Sequence, residues 1–154
     1  MDKLFFTQEH EMLKNMVRDF AKNEVEPLAR EMDKKETIPK DLIDKMGKLG
    51  IMGIPIPEKY GGAGMDTVAY ATAIMELAKV DASVAITVAA HTSLGTMPIV
   101  LAGTEEQKMK YVPALSSGKV LGAFGLTEPE AGSDAGATKT TAVKNGDEYV
   151  VNGS

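Results

Sequence analysis

Apolar residues recur at three- and four-residue spacing over most of the first 115 positions, and the period then changes to near-alternation. Met12, Leu13, Met16, Val17 and Phe20 form the first stripe, with Glu11, Lys14, Arg18 and Lys22 on the opposite face. With Thr7 as an N-cap, this pattern predicts an amphipathic helix over 8–23. Pro27 interrupts or restarts it, leaving 28–33 as a short second piece, because proline lacks the N–H that a helix interior needs. Pro39 suits the first turn of a further helix, with Leu42, Ile43, Met46 and Leu49 on one face and Gly50 as its stop.

Residues 51–64 hold Pro55, Pro57 and four glycines, so they read as a structured connector rather than a helix. The Gly61-Gly62-Ala63-Gly64 cluster is not a phosphate loop, since Met65-Asp66 stands where lysine and a hydroxyl residue are required. Asp66 caps a helix through about residue 80, with Val68, Ile74, Met75 and Leu77 expected to be buried. Asp81 caps the next, over 82–94, which is small and apolar almost all round. Thr87, Ala90 and Leu94 share a narrow, uncharged face suited to lining an acyl-chain pocket, and equally to plain helix packing. His91-Thr92-Ser93 does not make a nucleophile and base, because adjacent helical residues point apart and no acid is placed to orient the imidazole. Thr104-x-x-Gln107 is a capping box that opens a helix over 105–115, ended by Ser116-Ser117-Gly118.

Beyond Lys119 the pattern becomes that of strands. Residues 120–127 are apolar and read as extended, 138–144 are rich in β-branched residues, Asn145-Gly146-Asp147 is a hairpin turn, and 148–151 alternate as its partner. The fold class is therefore mainly α: a helical domain over 1–118, then the first strands of an antiparallel β domain over 119–154. The joining stretch, LGAFGLTEPEAGSDAGA at 121–137, draws attention. Gly122, Ala123 and Gly125 leave room for something large to approach the backbone. Gly132 and Gly136 bracket Ser133, Asp134 and Ala135, a loop able to aim N–H groups and a hydroxyl at an anion or a cofactor's polar edge.

Composition narrows the classes. At 154 residues, with 44% hydrophobic and 25% charged, the chain falls in the globular range and is long enough for a substantial core. Aromatics are scarce and tryptophan absent, so ten methionines fill much of the interior. A net charge of −5 argues against nonspecific nucleic-acid binding, which needs clustered cations. Without cysteine there is no disulfide framework and no thiolate metal site, which suits a reducing cytoplasm. Uninterrupted apolar runs reach only about seven residues (84–90), far below the roughly 20 that span a bilayer, so no membrane is expected. The first residues, MDKLFFTQEHE, are too acidic and too short in apolar length for a presequence, giving a cytoplasmic expectation.

With the order of elements in place, GLTEPEAGSDAGA, preceded by Gly122-Ala123-Phe124 and followed by the Asn145 hairpin and Val151-Asn152-Gly153, closely resembles the flavin-binding signature of the acyl-CoA dehydrogenases. PEKYGGAG at 57–64, HTSLGTMPI at 91–99 and GTEEQKMKYVPAL at 103–115 extend the resemblance over nearly the whole chain. It implies FAD as cofactor, an acyl-CoA substrate oxidised to the trans-2-enoyl thioester, and electron-transferring flavoprotein as partner. The wording is most similar to the short-chain, butyryl-CoA type. By resemblance, Phe124, Leu126, Thr127, Gly132 and Ser133 bind the cofactor: the Leu126 backbone faces the flavin, Thr127 bonds its pyrimidine edge, and Ser133 lies near both FAD and acyl-CoA. Thr87, Ala90 and Leu94 border the acyl pocket with Ser133. Glu128 and Asp134 are loop-shaping carboxylates, and no catalytic base is expected within the chain; the family's base comes from a C-terminal helical bundle. The resemblance further implies a homotetramer, and predicts that this chain alone is inactive. Same-fold acyl-CoA oxidases and flavin monooxygenases are the chemical alternative, and a non-catalytic helical packing module the structural one.

Overall fold

The computed structural model describes residues 6–154; the presequence argument, which begins at residues 1–5, lies partly outside them. Helix α1, Gln8–Phe20, opens on Thr7, whose Oγ accepts the His10 N–H while His10 Nδ1 accepts the Thr7 N–H. A histidine thus fills the reciprocal role usually taken by Glu or Gln. Because Nδ1 accepts, Nε2 carries the proton and donates to Asp66 at 2.9 Å, so one buried imidazole ties two helix starts together. The Asp66 carboxyl lies below the usual carboxylate range, held first by the Ala69 N–H and then by His10.

At Pro27 the helix restarts, one of the two outcomes expected. A π-helical stretch, Ala21–Val25, carries α1 directly into α2, Glu26–Lys35, where Pro27 sits in the first turn and its missing N–H costs nothing. Helix α2 ends at Glu36, which adopts the left-handed conformation at φ 51°. Helix α3 is Lys40–Lys48, and Gly50 beyond it has φ 76°, as its stop role requires.

The proline- and glycine-rich connector is well packed. Two 3-10 turns, Ile51–Gly53 and Glu58–Tyr60, bury Ile51, Met52, Ile54, Ile56 and Tyr60. A Cβ on Gly62 would lie 2.0 Å from the Ile56 carbonyl oxygen, so this glycine serves close backbone packing.

Asp66 caps α4, Thr67–Ala78, by accepting the Ala69 N–H at 2.9 Å. The buried stripe is Ala69, Thr72, Ala73, Glu76 and Leu77. Val68 and Met75, expected inside, are 38% and 52% exposed, because the true phase of the helix turns Glu76 inward instead. Glu76 is tolerated there by Arg18 at 3.1 Å and Lys79 at 2.6 Å. Burial alone would raise its carboxyl, but these two cations outweigh it and hold the group below its ordinary range.

Helix α5, Ala82–Ala90, is capped by Asp81, and the expected end at 94 is overrun. A π turn, His91–Thr96, leads without a break into α6, Met97–Ala102. The resulting 21-residue helical span holds an 18-residue window of mean hydropathy 1.6, so by length and composition it passes for a bilayer span. Counting uninterrupted runs missed this, since isolated Thr, Ser and His residues end a run without ending a helix. A third of that apolar window is buried, through Val84, Ala85, Val88, His91, Thr92 and Thr96. Helix α7, Glu105–Ser116, carries the expected Thr104–Gln107 capping box. The Tyr60 hydroxyl donates to Glu105 and fastens α7 to the connector.

The chain divides into two compact units, Met1–Ala123 and Phe124–Ser154. The second holds one antiparallel hairpin, β1 (Thr141–Asn145) with β2 (Glu148–Asn152), in register Val143↔Val150 and Asn145↔Glu148. Gly146 turns it at φ 63°. The strand expected over 120–127 has no ladder partner among the described residues; a strand exists only by pairing, and the one short bridge nearby is Glu128↔Ala131. The whole is mainly α with a short antiparallel sheet, the class expected.

Candidate functional site

The residues singled out from sequence fall in both units, and each set is described within its own. In the helical unit Thr87 and Ala90 are half-buried and Leu94 is 46% exposed. The Thr87 hydroxyl donates back to the Ser83 carbonyl at 2.8 Å, so it presents a methyl-bearing, satisfied side chain rather than a free donor. The π turn starts between Ala90 and Leu94; it closes through one more residue than an α turn and so rotates Leu94 away from the strict α-helical bearing of the other two.

His91 is 1% exposed and makes two hydrogen bonds that no sequence argument supplied. Its Nδ1 accepts the Gly122 N–H at 2.9 Å, and Nε2–H donates to the Leu115 carbonyl at 3.1 Å. Burial lowers its pKa, which the Leu115 carbonyl only partly opposes, so the ring is held neutral. No carboxylate orients it, in keeping with the exclusion of a catalytic triad. Against the same turn, Gly95 and Gly122 meet backbone to backbone: a Cβ on Gly95 would lie 2.5 Å from the Gly122 Cα.

In the second unit Glu128 and Ala131 exchange two backbone hydrogen bonds, both 3.1 Å, closing a tight turn over Pro129-Glu130. The Glu128 carboxylate accepts the N–H groups of Lys139 (2.7 Å) and Thr140 (3.1 Å). Thr140, then Lys139, keep it below the ordinary range, so it is a fixed loop brace and not a proton acceptor for chemistry. The Asp134 carbonyl accepts the Ala137 N–H and opens a further 3-10 turn, Ala135–Ala137. Phe124 and Leu126 are 54% and 46% exposed, and Thr127, Gly132 and Ser133 are exposed as well.

Among the described residues, the hydroxyls of Thr127 and Ser133 and the N–H groups of Gly125, Leu126, Thr127, Gly132 and Ser133 make no hydrogen bond within the chain. Cβ positions on Gly125 and Gly132 would meet nothing within 4 Å. Exposed donors beside open space and two apolar side chains leave this loop able to meet the carbonyl-bearing edge of a planar heterocycle such as a flavin. Among the described residues there is no group of three or more potential metal ligands. A separate cavity of about 550 Å³ between α1 and α4, bounded by Arg18, Val68, Met75 and Glu76, includes none of the candidate cofactor- or substrate-binding residues.

Comparison with known proteins bears on the family of the chain. Residues 7–119 match the family model for the acyl-CoA dehydrogenase N-terminal domain. The chain is 51% identical over 148 residues to the short-chain specific acyl-CoA dehydrogenase of Clostridium acetobutylicum, covering 96% of this chain and 39% of that one. It matches a solved structure described as the electron transferring flavoprotein of Acidaminococcus fermentans with a TM-score of 0.94 and 48% identity, over 99% of this chain and 40% of that one. A solved acyl-CoA dehydrogenase complexed with FAD, from Bacillus anthracis, matches with a TM-score of 0.92 and 41% identity, over 99% of this chain and 27% of the other. The chain belongs to the acyl-CoA dehydrogenase family. It spans about 39% of the length of the curated relatives it matches.

Proposed function

We propose that this chain serves as the N-terminal part of an FAD-dependent acyl-CoA dehydrogenase that oxidises an acyl-CoA thioester to the trans-2-enoyl-CoA. The carrying observation is the set of unpartnered donors on the Phe124–Ser133 stretch, within a chain whose family is established. When bound, FAD supplies the hydride acceptor. The Leu126 backbone and the Thr127 hydroxyl and N–H serve its pyrimidine edge, where donors stabilise the negative charge of reduction. Gly132 would allow close approach, Phe124 would offer an apolar face to the ring, and Ser133 would lie near both cofactor and thioester. Thr87, Ala90 and Leu94 offer an uncharged wall for the acyl chain, which favours apolar substrates such as butyryl-CoA. The likeness to a short-chain specific relative supports that size class.

Glu128, the carboxylate nearest the Thr127 backbone, is braced by two N–H groups and its pKa is lowered, unlike a base that removes an α-proton. The base lies outside these 154 residues, and the chain by itself is inactive. Residues 1–118 act as the helical domain and 119–154 as the first part of the β domain of a homotetramer. Electron-transferring flavoprotein is the electron acceptor, a reading supported by the likeness to the Acidaminococcus fermentans structure. A cytoplasmic setting suits the cysteine-free sequence.

The test is FAD addition followed by desalting and a visible spectrum. Retained flavin absorbance supports the reading for this chain; a full-length protein carrying it that also stayed colourless would overturn it. Butyryl-CoA turnover by the 154-residue chain alone would refute its predicted inactivity. Oxygen consumption without reduction of an electron-transfer flavoprotein, in the full-length protein, would assign it to the oxidases.

A further inference from the structure

A buried histidine is a costly way to fill a helix interior, since an aliphatic side chain needs no partners and an imidazole needs two. His91 finds both, and one of them lies at the head of the flavin signature. Its Nδ1 takes the N–H of Gly122, two positions before Phe124. The π turn it opens is held by the Thr96 hydroxyl, which donates to the His91 carbonyl at 2.9 Å. Gly95 of that turn and Gly122 approach so closely that neither position accommodates a side chain: their added Cβ atoms would lie 2.5 and 2.7 Å from the opposing Cα. Paired glycines fix how near the segment comes, and the imidazole fixes the direction of its backbone. Inserted π turns of this kind are frequent at functional sites.

From this we infer that His91 is a positioning residue for the flavin site: through Nδ1 it anchors Gly122 and so sets where the chain leaves the helical unit to begin the flavin-facing stretch. The inference rests on the flavin reading proposed above. His91 touches neither cofactor nor substrate in this role and moves no proton. The neutral ring is required, because a proton on Nδ1 would oppose the Gly122 N–H; burial, which lowers the His91 pKa, keeps it neutral.

Two substitutions of equal polarity separate positioning from mere packing. His91→Asn places an amide oxygen near the Nδ1 position and keeps an acceptor for Gly122; His91→Gln extends toward the Nε2 position and keeps only the Leu115 side. In the wild-type chain, ¹⁵N NMR should show a scalar coupling across the hydrogen bond between Gly122 N and His91 Nδ1. In His91→Gln the Gly122 amide should exchange at least about tenfold faster, the order expected for losing one neutral hydrogen bond. Amides of the buried Val88 and Val112 should keep their protection, and His91→Asn should restore Gly122 to within about threefold of wild type. Retained FAD absorbance should follow the same order, with Asn above Gln. Equal Gly122 exchange in Asn and Gln variants, or no coupling in the wild type, would overturn the inference. If the wild-type chain retains no flavin, the loss falls on the functional reading for this chain, and the Gly122 comparison still decides the role of His91. Should the Gln variant fail to fold, the wild-type coupling alone decides.

Discussion

Replacing Gly95 by alanine tests the backbone seat on which the flavin-signature segment rests. The added methyl would lie 2.5 Å from the Gly122 Cα, 2.7 Å from its carbonyl carbon and 3.2 Å from the Ala123 nitrogen. Carbon atoms pack without repulsion at about 3.5–4.0 Å, so either the π turn or residues 122–123 must move by roughly 1 Å. All the obstructing atoms are backbone, and no side-chain rotation relieves them. Overpacking of this kind costs about 1–3 kcal/mol, and the rigid obstruction argues for the upper half. Against it stands the better helix propensity of alanine, worth at most about 1 kcal/mol. The net expectation is a loss of about 1–2 kcal/mol, read as a lowered urea midpoint with unchanged slope in far-ultraviolet circular dichroism. Gly132→Ala is the internal control: nothing lies within 4 Å of its added methyl, so stability should stay within about 0.5 kcal/mol of wild type. That methyl would nonetheless enter the open space assigned to the flavin, and retained FAD absorbance should fall. A Gly95→Ala chain as stable as wild type, with the Gly122 amide resonance unmoved, would refute the close-contact reasoning.

Leu77→Ala, at a fully buried position of α4, should lower unfolding stability by about 2–5 kcal/mol through lost burial and the cavity left behind; denaturant titration checks it. Thr104→Ala removes the hydroxyl that accepts the Gln107 N–H at 3.2 Å and should cost about 1 kcal/mol in the same assay, with the change confined to α7 amides in hydrogen exchange. Glu76 carries a definite pH signature. Its folded pKa is depressed below the ordinary 4.5, so its contribution is fully present above that value and is lost as pH falls through the folded pKa. Glu76→Gln should therefore flatten the acid limb of the stability profile below about pH 4.5; parallel wild-type and variant curves from pH 7 to 3 would refute the ion-pair account.

What the sequence made legible was mostly local. Thr7, Asp66, Asp81 and Thr104 are caps where expected, because an N-cap depends on one side chain and the next three residues. The errors share a different cause. The end expected at residue 94 is overrun, and α1 joins α2 without a gap, because π turns take up an inserted residue without ending a helix, and no composition marks them. Val68 and Met75 were placed inside because hydrophobicity cannot reveal that Arg18 and Lys79 would draw Glu76 inward. The site divides along the same line. The loop residues Thr127 to Ser133 are proposed for the site from glycine spacing and resemblance, whereas the contacts of His91 and Gly95 with Gly122, 31 positions from the histidine, leave no mark in one sequence.

The second unit poses its own physical problem. Val143 pairs with Val150 across the hairpin, and Ala142 with Val151, so adjacent cross-strand pairs on opposite faces are both apolar. The flanking pairs carry polar residues, Thr141↔Asn152 and Asn145↔Glu148 on the face of Val143 and Lys144↔Tyr149 on the other, so each face holds one fully apolar pair. Yet Val143, Tyr149, Val150 and Val151 are 47–65% exposed, and two strands alone are marginal in water. The donor-bearing loop is exposed in the same unit, braced to the hairpin's approach through Glu128 on the Lys139 and Thr140 N–H groups and through the Lys139–Glu130 ion pair. Ordering loop and hairpin is therefore one free-energy step, because the brace transmits any fixing of 128–131 to the residues leading into β1. A cofactor that binds only the ordered loop must supply that step from its own contacts, which lowers its apparent affinity for this unit by the same amount. Covering the apolar pairs of the hairpin would remove part of that cost in advance, so the proposed affinity for flavin should rise with burial of the hairpin even though none of the hairpin's side chains needs to touch the cofactor.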